Sequence, residues 1–358
     1  MRRPRGREGA ARLLRRQWDK AVRFVATTSR QIGDDPTFDG RADAIATHVR
    51  ELQARADVAA GRWIHGGGPA DRRVLDVLCI LALQALSASV EADTRRLALL
   101  AGVGRETART ALLRLSADGW ITQARAAEGP HGARWTIRPT DRVSTDPVTG
   151  RSQADPRPVG AGSAERSTLL TNLTHRLRDA AHDLFTLGAL GHPAGTVYAH
   201  TGEAPHDVET IARATGTTID QASRILDRLT SAGVLVQERS GWRRHKADHR
   251  RAAAVRLGVD GRLVERARRY RVERELWAWW QAEEKWMRAP RRTHPSRRPG
   301  PGQLALLPEL GTNAYGAHPR RPDGRADYRA ARAMLAGVVA STSDPVDELH
   351  QVDAERVA

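Results

Sequence analysis

Two segments of the chain match each other without a gap at an offset of 114 residues. Asp93, Ala98, Gly102, Ala108, Leu112, Arg114, Leu115 and Gly119 meet Asp207, Ala212, Gly216, Ala222, Leu226, Arg228, Leu229 and Gly233, all identical, while Leu97 meets Ile211 and Ile121 meets Leu235. An internal match of this kind means one supersecondary unit used twice, so the chain must fold as two related bodies and not as one large core.

The matched positions dictate the local structure of each copy. Asp93 and Asp207 are side chains suited to cap a helix, and the following apolar residues recur at helical spacing until Gly102 or Gly216 supplies a turn. A longer helix follows. In the second copy it opens with the capping box Thr218-Ile219-Asp220-Gln221. Ala108, Ala111, Leu112 and Leu115 form one buried stripe, and Ala222, Ile225, Leu226 and Leu229 form the other. After Gly119, the stretches Trp120-Ile121-Thr122-Gln123 and Arg134-Trp135-Thr136-Ile137-Arg138 flank the turn Glu128-Gly129-Pro130-His131-Gly132. After Gly233, Val234 to Arg239 and Trp242 to Arg244 flank Ser240-Gly241. Both pairs read as β-hairpins with charged tips.

A helix-turn-helix followed by a hairpin resembles the winged-helix family, over roughly residues 70 to 140 and 170 to 246. The fold class expected is mainly α with small β-hairpin wings: two tandem winged helix-turn-helix domains, helical extensions and a disordered C-terminal region. In that family the second helix enters the major groove and the hairpin flanks it. The resemblance therefore assigns DNA contacts to Arg105, Thr107, Arg109, Thr110 and Arg114 on the first helix and to Thr218, Gln221, Ser223, Arg224 and Arg228 on the second. Arg105 and Arg109 are one turn apart, and Arg is suited to guanine O6 and N7 as Gln221 is to adenine. Arg125 and Arg134 in one wing, with His131, and Arg239, Arg243 and Arg244 in the other are expected near phosphates. Glu106 and Asp220 oppose tight nonspecific contact. Winged helices also serve as protein-interaction modules, which stays open for each copy. Two non-identical modules in one chain predict an asymmetric or directly repeated site.

Outside the repeat, residues 1–65 are expected as basic N-terminal helices, with seven Arg against one Glu in the first 16 residues and apolar periodicity from Ala11 to Val25 and from Ala42 to Ile64. The two domains are expected at 70–140 and 167–246, joined by a flexible linker at 141–166 that is rich in Pro, Gly, Ser, Thr and Asp. A basic, Trp-rich helical extension follows at 247–290. Leu276, Trp280 and Met287 share one side of it, with Trp277, Trp279 and Trp286 nearby, and packing against the adjacent module or stacking on bases are the two readings. Segment 291–325 is expected to be disordered, and 326–358 to form a short helix and an acidic tail.

Charge narrows the partners. Lys plus Arg exceed Asp plus Glu by 58 to 42, a formal net charge of +16, and only Lys20, Lys246 and Lys285 are lysines. Guanidinium pairs bidentately with phosphates and guanine edges, so the bias suits nucleic acid. The stretch Arg243 to Arg274 carries twelve basic residues against four acidic ones, enough to extend an electrostatic footprint or to form a solvated helix face. Cys79 is the only cysteine, which excludes intrachain disulfides and cysteine-based zinc sites. No apolar run reaches the length of a membrane span, and a cytoplasmic, nucleoid- or plasmid-associated protein is expected. There is no phosphate loop, no H-E-x-x-H and no two-metal acidic cluster, so a non-enzymatic protein without cofactor or metal is expected. His192, His200 and His206 match no standard ligand spacing and read as loop histidines.

In the Pro/Gly-rich segment, Gln303-Leu304-Ala305-Leu306-Leu307 resembles the pentapeptide with which bacterial replication proteins engage the sliding clamp, with Leu307 where that pattern prefers Phe. Gln303, Leu304, Leu306 and Leu307 would make the contacts; docking of the tail on its own body is the alternative. Together these features resemble plasmid or mobile-element replication initiators of the tandem winged-helix type, of an actinobacterial kind. The resemblance implies duplex DNA and host replication factors as partners. A transcriptional regulator and an accessory protein that recruits an enzyme to DNA remain alternatives, and the oligomeric state is open.

Overall fold

The computed structural model describes residues 36–64, 66–128, 131–138, 161–288 and 317–340. The described residues are mainly helical, with two small antiparallel sheets among them. No helix among the described residues is long and apolar enough to cross a membrane.

Pro36 is the first residue of helix α1 (Pro36–Val58), where its fixed φ and missing N–H are tolerated. A 3-10 turn at Ala60–Trp63 leads to α2 (Gly68–Ala85), which opens on Gly68 and Pro69. Then come β1 (Ser89–Ala92), α3 (Thr94–Leu100), α4 (Arg105–Ala117) and the hairpin β2 (Ile121–Arg125) and β3 (Ala133–Ile137). The sheet order is β1-β3-β2, with Val90 opposite Trp135 and Ile121 opposite Ile137.

The second copy repeats this order: α5 (Ala161–Ala180), a 3-10 turn at Asp183–Phe185, α6 (His192–His200), α7 (Val208–Thr215), α8 (Ile219–Ser231) and the hairpin β4 (Leu235–Glu238) and β5 (Gly241–Arg244). A single bridge between His206 and Trp242 stands where β1 stands in the first copy. The duplication thus reaches back to α1 and α5, beyond the matched sequence. His192 and His200 begin and end α6 and do not lie in loops, because Pro193 suits the first turn of a helix.

Local signals operate as the residues demand. Asp93 accepts from the Arg95 N–H at the start of α3, and Asp207 from Thr210 at the start of α7. Gly102 and Gly216 turn the chain with φ of 66° and 70°. The stripes Ala108, Ala111, Leu112, Leu115 and Ala222, Leu226, Leu229 are buried, while Ile225 is half-buried.

Two features depart from the expected boundaries. Helix α5 begins inside the stretch read as linker, and its Leu170, Leu173 and Leu177 join Val49, Leu52 and Ala56 of α1 in the first core. The cause is a leucine stripe at helical spacing, secured by Arg176, which donates to Asp76 at 2.6 Å and to Gln53 at 2.7 Å. The second core, around Phe185, Val197, Ile211 and Leu226, takes in Ala253, Ala254 and Val259, so helix α9 (Arg250–Arg256) belongs to the second copy.

The copies meet reciprocally. A Cβ on Gly102, in the α3–α4 turn, would press on Ala181, just past α5; one on Gly216, in the α7–α8 turn, would collide with the carbonyl of Ala60, just past α1. Each turn glycine thus lies against the other copy's long helix end, as in an approximate two-fold arrangement. Arg73 on α2 crosses the same seam, donating to the His192 carbonyl at 2.9 Å.

Helix α10 (Arg262–Arg288) and α11 (Tyr328–Ala340) form a third layer around Val272, Trp279, Ala331 and Leu335. Trp279 and Trp280 therefore pack against the C-terminal helix, while Trp277 is half exposed. Trp280 sits 5.4 Å from both His318 and Tyr328. Residues 317–325, expected within the disordered segment, form an ordered turn closed by an Arg320–Ala326 bridge, because buried His318 wedges beside Trp279 and Trp280.

Candidate nucleic-acid interface

On α4, Arg105 and Arg109 are both exposed, and Arg109 is drawn back to Glu106 at 2.7 Å. Thr110 donates its hydroxyl to the Glu106 carbonyl, and Thr107 is half-buried. Arg114 has a different task. It donates from Nε and Nη2 to both oxygens of Asp71, which is fully buried and also accepts from Arg62 at 2.9 Å. A carboxylate held this way needs its cations, so Arg114 joins α4 to α2 and is not a free phosphate contact. On the hairpin, Arg125 and Arg134 are exposed register partners, with exposed His131 nearby.

On α8, the capping box forms as the sequence requires: Thr218 accepts from the Gln221 N–H at 3.2 Å, and the Gln221 side chain accepts from the Thr218 N–H. Gln221 can read a base only by leaving that cap. Ser223 is half-buried, and Arg224 is exposed, its Nε 3.2 Å from the Asp220 carbonyl. Arg228 is exposed and reaches the Ala189 carbonyl at 3.4 Å. Asp220 and Asp227 share the outward face with Arg224, so this surface mixes charges.

In the second hairpin Arg239 is exposed at the tip, while Arg243 pairs with Glu238 at 2.5 Å. Arg244 is turned inward. It pairs with Asp179 at 2.6 Å, donates to the Tyr198 carbonyl at 3.0 Å and lies 4.6 Å from the Tyr198 ring centre. It ties β5 to the end of α5. The Gln303, Leu304, Leu306 and Leu307 positions lie outside the described residues.

Sequence reasoning missed the position of α10. Tyr270 accepts the Arg105 N–H at 3.0 Å, Arg266 donates to the Val103 carbonyl at 2.8 Å, and Glu273 pairs with Arg95 at 3.0 Å. The long basic helix therefore lies against the start of α4. Between α4, the first hairpin and α10–α11 runs an open groove of about 800 Å³. Among the described residues, α8 packs on α6, α7 and β4.

The seam between the copies has its own electrostatics. Burial and the neighbouring Arg73 push the His192 pKa down to about 4, and burial with Arg176 does the same for His200. Burial lowers Arg73 to about 10 and raises the Cys79 thiol to about 12. Comparison of the chain with protein-family models, with curated proteins and with solved structures found no match.

Proposed function

We propose that the two copies are winged helix-turn-helix modules and that the chain is a sequence-specific duplex DNA-binding protein, acting as the origin-binding replication initiator of a plasmid or mobile element. The observation that carries the reading is α8: an amphipathic helix after a glycine turn, its outer face open, with Arg224 on it and a hairpin ending in Arg239 beside it. The net charge of +16 supports it electrostatically. The reciprocal packing of the turn glycines argues against directly repeated half-sites, since a direct repeat requires modules related by translation. The site remains asymmetric because α10, which starts against Asp183 and Leu187 of the second copy, runs on to lie beside the second helix of the first copy, α4.

Recruitment of host factors through Gln303 to Leu307 rests on the pentapeptide alone. Retention of purified sliding clamp on the full chain, lost on Leu306→Ala with Leu307→Ala, is its test.

Selection from random duplexes with the purified full chain should enrich one motif at physiological salt. Arg224→Ala should weaken binding to it about 5- to 150-fold, since one base-reading Arg is worth roughly 1–3 kcal/mol. Failure to enrich any duplex motif overturns DNA recognition. An enriched motif whose locus cannot support autonomous replication overturns the initiator role alone.

A further inference from the structure

The groove beside α4 is built differently from a duplex-reading surface. A helix with its side chains is about 10–12 Å across, and the major groove of B-DNA is about 12 Å wide, so it admits one helix. Helix α4, with Tyr270 of α10 bonded at its first residue and Glu273 of α10 paired with Arg95 on the preceding α3, presents two packed helices. A duplex cannot seat on that flank while α10 is there.

What the groove offers instead is aromatic faces and guanidinium groups. Trp277 is 52% exposed and Tyr328 47% exposed, and both line it, as do Arg109 and Arg274. Its acidic members are already occupied: Glu273 pairs with Arg95, and Asp93 caps α3. One wall carries Trp135, which is 4% exposed and whose buried indole N–H finds no acceptor.

We infer that this groove binds single-stranded DNA, with bases stacking on Trp277 and Tyr328 and phosphates meeting Arg109 and Arg274. Stacked aromatics interleaved with arginines fit an unpaired strand of any sequence, because every base has a π face and every nucleotide a phosphate. The site is separate from α8, so one chain would hold a duplex on the second module and an opened strand on the first. It does not depend on the duplex reading, which has its own variant.

The test is fluorescence anisotropy of a labelled 20-nucleotide oligo(dT) with the full chain, excess unlabelled duplex present. Trp277→Ala and Arg274→Ala should each weaken binding at least fivefold, Trp277→Phe should retain most of it, and Arg224→Ala should leave it unchanged. Both tryptophan variants should keep the melting temperature, since the ring is half exposed. Equal affinity in Trp277→Ala, Arg274→Ala and the parent chain overturns the assignment. Tighter binding of oligo(U) of the same length overturns the choice of DNA. Loss of the Arg224-dependent duplex binding would leave this result standing.

Discussion

Arg114 and Arg228 hold equivalent places in the duplicated segments, yet their surroundings differ. Arg114 meets the fully buried Asp71, whereas Arg228 meets only a backbone carbonyl. Identity in the repeat therefore does not mean identity of role. Removing one partner of a buried ion pair strands the other, at a cost of about 3–5 kcal/mol. Arg114→Ala leaves the buried Asp71 with Arg62 alone and should destabilise the chain by up to that order in urea titration, more than it lowers affinity for nucleic acid; Asp71→Ala leaves two partly exposed arginines and should cost less. The seam histidines give a second residue-scale prediction. Their folded pKa near 4 lies below the ordinary 6.5, so between these values the folded chain binds fewer protons than the unfolded chain. Their contribution is complete above about pH 6.5, falls as pH drops towards 4, and changes no further below. Each histidine has a ceiling of roughly 3 kcal/mol, from about 1.4 kcal/mol per pKa unit. Melting temperature against pH should decline over that window, and His192→Gln with His200→Gln should flatten the decline.

At the scale of elements, the turn glycines separate backbone conformation from close packing. Gly216 and Gly258 share a left-handed φ, 70° and 65°, but a Cβ on Gly258 meets open space and one on Gly216 meets Ala60. Gly258→Ala should cost about 1 kcal/mol for the backbone conformation alone. Gly216→Ala adds a steric collision and should cost clearly more; comparison of the two urea midpoints checks it. The helices and turns around these glycines were legible because their signals are local: a cap, an apolar period and a glycine within a dozen residues. The same holds for the hairpins and for α11. The crossing of α10 was not legible, since Tyr270 and Arg105 are 165 residues apart and nothing in a basic helix names its neighbour. The burial of Arg244 and Arg114 was hidden for the same reason. Charge alone makes every arginine look like a surface group, and only a distant carboxylate shows otherwise.

For the whole molecule, the consequence of the third layer is asymmetry. Two similar copies carry different surroundings: in the first, α10 is bonded to the start of the second helix and α11 packs on α10. The single thiol offers a way to follow how firmly the first body is held together. Cys79 is fully buried and its pKa is raised to about 12, so the folded chain keeps it protonated and inaccessible. Its modification by an aromatic disulfide reagent should be slow in the parent chain. It should accelerate in Asp71→Ala by the same factor by which the unfolded population rises.

The reciprocal contacts of Gly102 with Ala181 and of Gly216 with Ala60 join halves that are already joined covalently. Two separate subunits meeting through such a seam would part on dilution, and their joint action would fade with the square of their concentration. Here each half always has its counterpart within reach, at an effective concentration fixed by the chain. A single copy of the protein thus holds both sides of the seam, and the melting temperature of the seam should not depend on protein concentration.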